Sequence, residues 1–184
     1  MHPHEYRLKA PQWEAKLSPF WVRLLRPLRG YIRRRHCNLP EVAVRGTEQL
    51  KQLVAQEAGI LITPNHPSYH DPIVMCEAAD VVGRPFAFMT AWQVFARNVW
   101  VVRWLLQRHG CFSVEREGND LHAFKQAVQI LTDSTNPLVI FPEGLIYHIN
   151  DRITPLREGP AAIAWHCRIR QALDVLTLDT WSWN

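Results

Sequence analysis

The sequence has little of what marks a membrane-spanning or secreted protein. Its longest apolar stretch, residues 86–106, carries four polar interruptions that argue against a spanning helix: Gln93, Arg97, Asn98 and Arg103. Residues 1–16 are polar and charged and contain no apolar core of a signal peptide, so we expect no secretory signal. We therefore predict a cytoplasmic protein whose membrane association is peripheral, on the cytoplasmic face.

Cysteine is scarce and scattered. The four Cys residues form no Cys-x-x-Cys pair and no zinc-ligand spacing, so we predict reduced, mostly buried thiols at Cys37, Cys76, Cys111 and Cys167. Repeats and low-complexity tracts are absent too. With 47% hydrophobic and 21% charged residues the composition is that of a globular protein, and a length of 184 residues predicts a single domain over 1–184.

Positive charge is concentrated near the N-terminus, although the net charge is only +4. Six arginines between Arg23 and Arg35 are interleaved with apolar residues, which indicates a basic amphipathic segment within residues 1–40. Pro27 and Gly30 are expected to kink or weaken any helix there. Two interpretations stay open, a solvated helix face and a surface that docks on anionic lipid.

Tryptophans in the stretch 86–106 are interpreted as core residues, with lipid contact as the alternative: Trp92, Trp100 and Trp104.

The rest of the chain alternates between strand-like and helix-like segments. Such alternation predicts an α/β layered fold, with a largely parallel mixed sheet flanked by helices. Thr47 is expected to cap the first core helix, and Pro160 to lie in the first turn of the last one. The predicted strands are 42–46, 59–64, 85–90, 111–114 and 137–141, and the predicted helices are 48–57, 71–79, a region up to 107, 120–131 and 157–167.

One polar cluster follows a predicted buried strand directly, in the segment Asn65-His66-Pro67-Ser68-Tyr69-His70-Asp71. Open α/β sheets place ligands at the carboxyl ends of their strands. A turn would let the carboxylate of Asp71 hydrogen-bond one imidazole nitrogen of His66, leaving the other nitrogen to accept a proton from a substrate hydroxyl. Two alternatives stay open: His66 caps the following helix, or His66, His70 and Asp71 bind a metal ion.

A second cluster, Phe141-Pro142-Glu143-Gly144, also ends an apolar strand, which directs Glu143 to the same sheet edge as His66. Between the two clusters lies Gly110-Cys111-Phe112-Ser113-Val114-Glu115-Arg116, a glycine and a short strand ending in arginine. Together and in this order, the three blocks resemble those of the glycerol-phosphate and lysophosphatidate acyltransferase family. The resemblance spans roughly residues 42–164, a motif-bearing core.

This resemblance implies a role for each matched residue. His66 would deprotonate the acceptor hydroxyl for attack on an acyl thioester, and Asp71 would orient His66 and stabilise its charged form. Arg116 would hold the acceptor phosphate, and Glu143 with Gly144 would bind or position the acceptor. The implied donor is acyl-CoA or acyl carrier protein, and the implied acceptor is glycerol phosphate or a lysophospholipid at a membrane surface. The resemblance implies no cofactor, no metal and no nucleic-acid partner.

The chain also departs from the family pattern. Many members continue the glutamate block with Thr-Arg or Ser-Arg, where this chain has Leu145 and Ile146. Residues 165–184 are atypical, because Leu173 to Asn184 contains no proline and does not resemble the expected hydrophobic-proline block. We therefore expect an altered or truncated end, and three functions stay open: an O-acyltransferase, a peripheral membrane-binding protein impaired in catalysis, and a hydrolase of thioesters or esters.

Overall fold

A computed structural model of the chain describes residues 10–148 and 155–167. Within these ranges four strands form one parallel sheet in the order β1-β4-β2-β3. Phe88 of β2 is the partner of Cys111 in β3 and of Val139 in β4, and Val139 is in turn the partner of Ile62 in β1. The strands are β1 Leu61–Ile62, β2 Ala87–Ala91, β3 Cys111–Val114 and β4 Leu138–Val139.

Helices connect and flank these strands. Asp120 caps one of them (α7) through its side chain, which accepts the backbone N–H groups of His122 at 3.1 Å and Ala123 at 3.0 Å. Gly83 ends another (α4) in the left-handed region at φ 82°. The described helices are α1 Pro19–Leu24, α2 Arg26–Arg35, α3 Glu48–Ala55, α4 Asp71–Val82, α5 Trp92–Ala96, α6 Trp100–Arg108, α7 Leu121–Asp133 and α8 Gly159–His166.

Both faces of the sheet are covered by apolar side chains. Neighbouring strand residues point to opposite faces, so Phe88 and Val139 join one cluster with α3, α4 and α5 residues, whereas Ala87 and Leu138 join another with α7 and α8 residues. Phe112 is fully buried in the second cluster. A parallel sheet buried on both faces is the layered α/β arrangement that the sequence predicted, and that prediction is confirmed.

Two local predictions on the N-terminal side of β1 are wrong. Residues 42–46 are irregular rather than a strand, because they pair with no strand of the described sheet, although Val44 still packs on the core; Gly46 ends the segment in the left-handed region at φ 68°. Thr47 precedes α3 but makes no side-chain cap, since its own backbone is already helical at φ −84° and ψ −6°. Of the segment predicted to be atypical, residues 165–184, all but the first three residues lie outside the described residues.

The basic N-terminal segment forms two helices that meet at Leu25. Pro27 is accommodated in the first turn of α2, where its missing N–H has no helical partner to lose, and Gly30 lies inside the same helix. In the described part of the chain, no helix is long and apolar enough to cross a membrane.

Two of the six arginines of the predicted basic surface are bound inside the protein. Arg29 forms two hydrogen bonds with the carboxylate of Asp80 on α4, at 3.0 and 2.9 Å. Arg33 is buried and binds Glu77 of α4 at 3.1 Å and two backbone carbonyl groups. Paired, hydrogen-bonded arginines at these positions fix α2 on α4. The solvated positions of the segment are Arg23, Arg34 and Arg35, together with Arg26, whose exposed side chain also reaches Asp80.

Candidate active site

His66 and Asp71 are joined by a hydrogen bond, as the sequence predicted. The chain leaves β1 at Ile62 and reaches His66 four residues later, and Asp71 is the first residue of α4. His66 Nδ1 lies 2.9 Å from Asp71 Oδ2, and the same oxygen accepts the backbone N–H of Ser68 at 2.9 Å. An ionised carboxylate only accepts hydrogen bonds, so Nδ1 carries the proton and the neutral ring keeps its free lone pair on Nε2.

Glu143 connects the end of β4 to the His66 loop. Its carboxylate Oε1 accepts the backbone N–H of His66 at 2.7 Å, and the residue is only 6% exposed. Phe141, two residues earlier, stacks its ring on the imidazole of His66 with centroids 4.0 Å apart and planes inclined by 20°. Asp71 therefore holds the edge of the imidazole and Phe141 covers its face, while Glu143 holds the backbone of His66.

Arg116 reaches the same place from the end of β3. Its guanidinium Nη1 donates to the backbone carbonyl oxygen of Gly144, the residue next to Glu143. Gly144 has φ 70°, a conformation that favours glycine, and its N–H donates to the carbonyl oxygen of Phe141 at 3.1 Å. The strand ends of β1, β3 and β4 thus meet through one continuous chain of contacts.

Every residue predicted for the site belongs to this chain of contacts: His66, Asp71, Arg116, Glu143 and Gly144. The alternative in which His66 caps α4 is not supported, because its ring bonds the Asp71 carboxylate instead of a helix N–H. Within residues 10–148 and 155–167, no three His, Cys, Asp or Glu side chains are arranged to hold a metal ion.

Two residues of the site were missed by the sequence analysis. Ser68 supplies the N–H that holds Asp71, a contact that its position three residues before a helix-starting aspartate could have suggested. Arg157 was missed because it lies outside the three matching blocks, ahead of α8. Its backbone N–H donates to Pro142 O at 2.9 Å and its Nη1 donates to Arg116 O at 2.8 Å.

The cysteines do not contribute a reactive thiol to this site. All four are free, as predicted, and Cys37 and Cys111 are buried whereas Cys76 and Cys167 are half-buried. Burial raises the pKa of Cys76 to about 11 and that of Cys111 to about 12. These two thiols therefore stay protonated at neutral pH and are poor nucleophiles.

Comparison with known proteins identifies the family. The sequence model of a family described as Acyltransferase matches residues 41–176. A curated protein of Streptococcus pneumoniae strain R6, named 1-acyl-sn-glycerol-3-phosphate acyltransferase, is 30% identical over 111 residues, which are 60% of this chain and 38% of that protein. The chain thus spans well under half the length of the curated relative that it matches. No solved structure matches it.

The α/β fold, the strand-end site and the family match together define the class of protein. The chain belongs to the acyltransferase family whose sequence model it matches.

Proposed function

We propose that the protein is an O-acyltransferase, which moves a fatty acyl group from an acyl thioester to a hydroxyl of a glycerol-phosphate or lysophospholipid acceptor. The observation that carries this proposal is the 2.9 Å hydrogen bond between His66 Nδ1 and Asp71 Oδ2, because it leaves Nε2 as the proton acceptor. The thioester already supplies an activated acyl group, so the reaction needs a base and a positioned acceptor and no enzyme nucleophile.

In the proposed reaction Nε2 of His66 takes the proton of the acceptor hydroxyl. The acceptor oxygen attacks the thioester carbonyl carbon, the carbon–sulfur bond breaks, and the leaving thiolate receives the proton from the imidazolium. Asp71 stabilises the imidazolium through the Nδ1 hydrogen bond and prevents the ring from turning. The ring of Phe141, stacked on the face of the imidazole, restricts the same rotation.

Arg116 is proposed to bind the acceptor phosphate. One of its N–H groups donates to Gly144 O. Gly144 follows Glu143, whose carboxylate holds the backbone N–H of His66. A guanidinium offers five N–H donors in a fixed plane, which leaves several for an anionic acceptor. The proposed donor is acyl-CoA or acyl carrier protein.

The proposal is tested by measuring thiol release from acyl-CoA with and without a panel of lysophospholipid and glycerol-phosphate acceptors. We expect acceptor-dependent release that falls by about 10³-fold or more in His66→Ala, since general-base catalysis and positioning are lost together. His122→Ala is the matched control, because His122 is a half-exposed histidine on α7 whose ring lies 3.7 Å from Glu14. Its activity should equal that of the wild type.

The same assay separates the two other functions. Acceptor-independent release that disappears in His66→Ala would identify a thioesterase-like hydrolase, in which water replaces the acceptor. No release with any acceptor, from a protein that is folded by circular dichroism and binds liposomes, would identify a membrane-binding protein impaired in catalysis.

Helices α1, α2 and α6 are proposed to dock on the membrane surface. Trp21 of α1 contacts Trp104 of α6 edge to face, with ring centroids 5.0 Å apart, so these helices are neighbours. Large apolar side chains on them are exposed, with Phe20 at 65% and Trp100 at 76%. Solvated arginines border these residues in the sequence, and aromatic and arginine side chains together suit an anionic lipid interface. The exposed apolar set is Phe20, Leu24, Leu28, Tyr31, Val99, Trp100 and Val101.

A further inference from the structure

Arg157 lies across the Pro142–Gly144 turn, ahead of α8 and outside the three motif blocks. Its backbone N–H donates to Pro142 O at 2.9 Å, which places the start of its side chain beside the turn. The side chain then crosses Gly144: a Cβ added to that glycine would lie 2.4 Å from Arg157 Nε. The guanidinium continues to the end of β3, where Nη1 donates to Arg116 O at 2.8 Å.

Two arginines therefore meet at Gly144. Arg116 donates to the carbonyl oxygen of Gly144, and Arg157 covers the Cα of the same residue and bonds the backbone of Arg116. In residues 10–148 and 155–167 the hydrogen-bond acceptors of both guanidinium groups are neutral backbone carbonyls. Carbonyl groups fix the positions of the two cations without neutralising their charge, and each guanidinium keeps N–H groups for a further acceptor.

Such a pair is suited to a dianion. Two adjacent guanidinium groups repel each other, and an anion bound between them reduces this repulsion and accepts several charge-assisted hydrogen bonds. The pair is also close to the His66–Asp71 dyad, because Gly144 follows Glu143, whose carboxylate holds the backbone of His66 at 2.7 Å.

We propose that Arg157 is a second ligand, beside Arg116, of the acceptor's phosphate group. This inference rests on the proposed function and adds a specificity-determining residue to it. Gly144 then serves the site by its lack of a side chain, which leaves room for Arg157, and by its carbonyl oxygen, which holds Arg116. Glu158 is the nearest acidic neighbour of Arg157 in the sequence, and it is exposed to solvent.

Binding is tested by isothermal titration calorimetry with a short-chain lysophosphatidate below its micelle concentration and with the monoacylglycerol that lacks only the phosphate. We expect Arg157→Gln to weaken lysophosphatidate binding about tenfold to a hundredfold, as for other hydrogen bonds to charged groups, and to leave monoacylglycerol binding unchanged. Arg157→Lys should recover part of the loss, because the charge remains. Arg45→Gln, an exposed arginine outside the site, is the control for net charge.

Kinetics supply a second readout that a purely structural role would not move. Arg157→Gln should raise KM for the lysophosphatidate and leave KM for acyl-CoA and the kcat within about twofold. A rise in KM for acyl-CoA alone would overturn the proposal by assigning Arg157 to the donor's phosphates. Equal effects on lysophosphatidate and monoacylglycerol, or no effect on either, would overturn it as well. If the wild type shows no turnover, the proposed function fails, and the calorimetric comparison still decides whether Arg157 binds phosphate.

Discussion

The carboxylate of Glu143 holds the backbone N–H of His66 at 2.7 Å, although the two residues are 77 positions apart in the chain. The family resemblance implied that Glu143 binds or positions the acceptor. The contact indicates a different way to contribute, since one carboxylate oxygen is already bonded to the loop that carries the proposed base. Removing this oxygen would leave an N–H without its partner and free the loop to move.

We therefore predict a graded effect of substitutions at Glu143. Glu143→Gln keeps an acceptor oxygen and should lower kcat less than Glu143→Ala, which should also reduce the free energy of unfolding by about 1–3 kcal/mol because a part-buried N–H loses its acceptor. Steady-state kinetics and urea unfolding measure the two effects. A positioning role requires kcat to fall more than KM rises. If both variants changed only the KM of the acceptor, Glu143 would instead be a binding residue.

Asp71→Asn separates orientation of the base from its presence. The asparagine amide can donate to Nδ1, which would place the proton of His66 on Nε2 and remove the free lone pair there. We expect kcat to fall by about 10²–10⁴-fold. Because Asp71 Oδ2 bonds both His66 Nδ1 and the N–H of Ser68, an amide nitrogen in that position also loses the Ser68 bond, which should reduce the free energy of unfolding by about 1–3 kcal/mol. The pH–rate profile and circular dichroism provide the measurement. Near wild-type kcat in Asp71→Asn would rule out the orienting role.

Gly144 and Gly83 form a matched pair for testing the space that Arg157 requires. Both have positive φ, 70° and 82°, but an added Cβ would contact Arg157 only at Gly144 and meets nothing within 4 Å at Gly83. Alanine should therefore cost about 1–3 kcal/mol of backbone strain at both positions. Only Gly144→Ala should also displace the guanidinium of Arg157.

Thermal or urea unfolding of the two alanine variants measures the common strain. Titration with the short-chain lysophosphatidate then measures the additional effect, which we expect as weaker binding in Gly144→Ala and unchanged binding in Gly83→Ala. Equal ligand affinity in the two folded variants would show that the Arg157 position does not depend on the missing side chain.

The sequence predicted the sheet and the meeting of the strand ends because both follow from local patterns. Apolar runs that end at proline or glycine mark β1 and β4, and the carboxyl ends of parallel strands share one edge, which brings His66 and Glu143 together. Arg157 follows from no such rule. Its place depends on a hydrogen bond to Pro142 and on a glycine whose conformation the sequence alone did not give.

The arginines of α2 show the same limit. Their spacing in the sequence resembles a solvated or lipid-facing helix, and only the packing of α2 on α4 shows that Arg29 and Arg33 are bound to Asp80 and Glu77. The spacing of charged residues predicts which side of a helix is exposed only when the helices packed against it are known. The spacing alone does not identify those helices.

His109, at the end of α6, gives the fold a predicted sensitivity to acid. Burial lowers the pKa of this histidine below its usual 6.5. The hydrogen bond to Leu105 O opposes this shift, and the charge of Arg29 adds to it. Arg29 Nη1 lies 3.4 Å from Nε2, and His109 Nδ1 is bonded to Leu105 O at 2.9 Å, an arrangement that requires the neutral ring. Asp80 partly compensates by raising the pKa.

The sign of the effect follows from proton binding. The unfolded chain binds a proton at His109 at higher pH than the folded protein does, so this contribution to stability is complete above about pH 6.5 and is lost as pH falls through the folded pKa. We expect His109→Gln to flatten the dependence of unfolding free energy on pH between about 7 and 5. His122→Gln is the control and should keep the wild-type slope. An unchanged slope in His109→Gln would contradict the assignment.

Lipid docking is expected to depend on exposed residues of α1 and α2 and not on the arginines bound within the fold. Co-sedimentation with phosphatidylglycerol vesicles should weaken about tenfold for Phe20→Asp and for Leu24→Asp, because each change removes an apolar side chain available for insertion. Leu121→Asp is the matched control, an equally exposed leucine at the start of α7, whose buried residues pack on the other face of the sheet.

Charge contributes through Arg34 and Arg35, which are exposed, whereas Arg33 is buried against Glu77. Replacing Arg34 and Arg35 by Gln should reduce binding to phosphatidylglycerol vesicles at low salt and leave the weaker binding to phosphatidylcholine vesicles unchanged. Replacing Arg33 should lower the free energy of unfolding more than it lowers lipid binding, since it leaves the part-buried carboxylate of Glu77 without this partner. Vesicle binding that is the same in Phe20→Asp, Leu24→Asp and Leu121→Asp would place the lipid surface elsewhere on the protein.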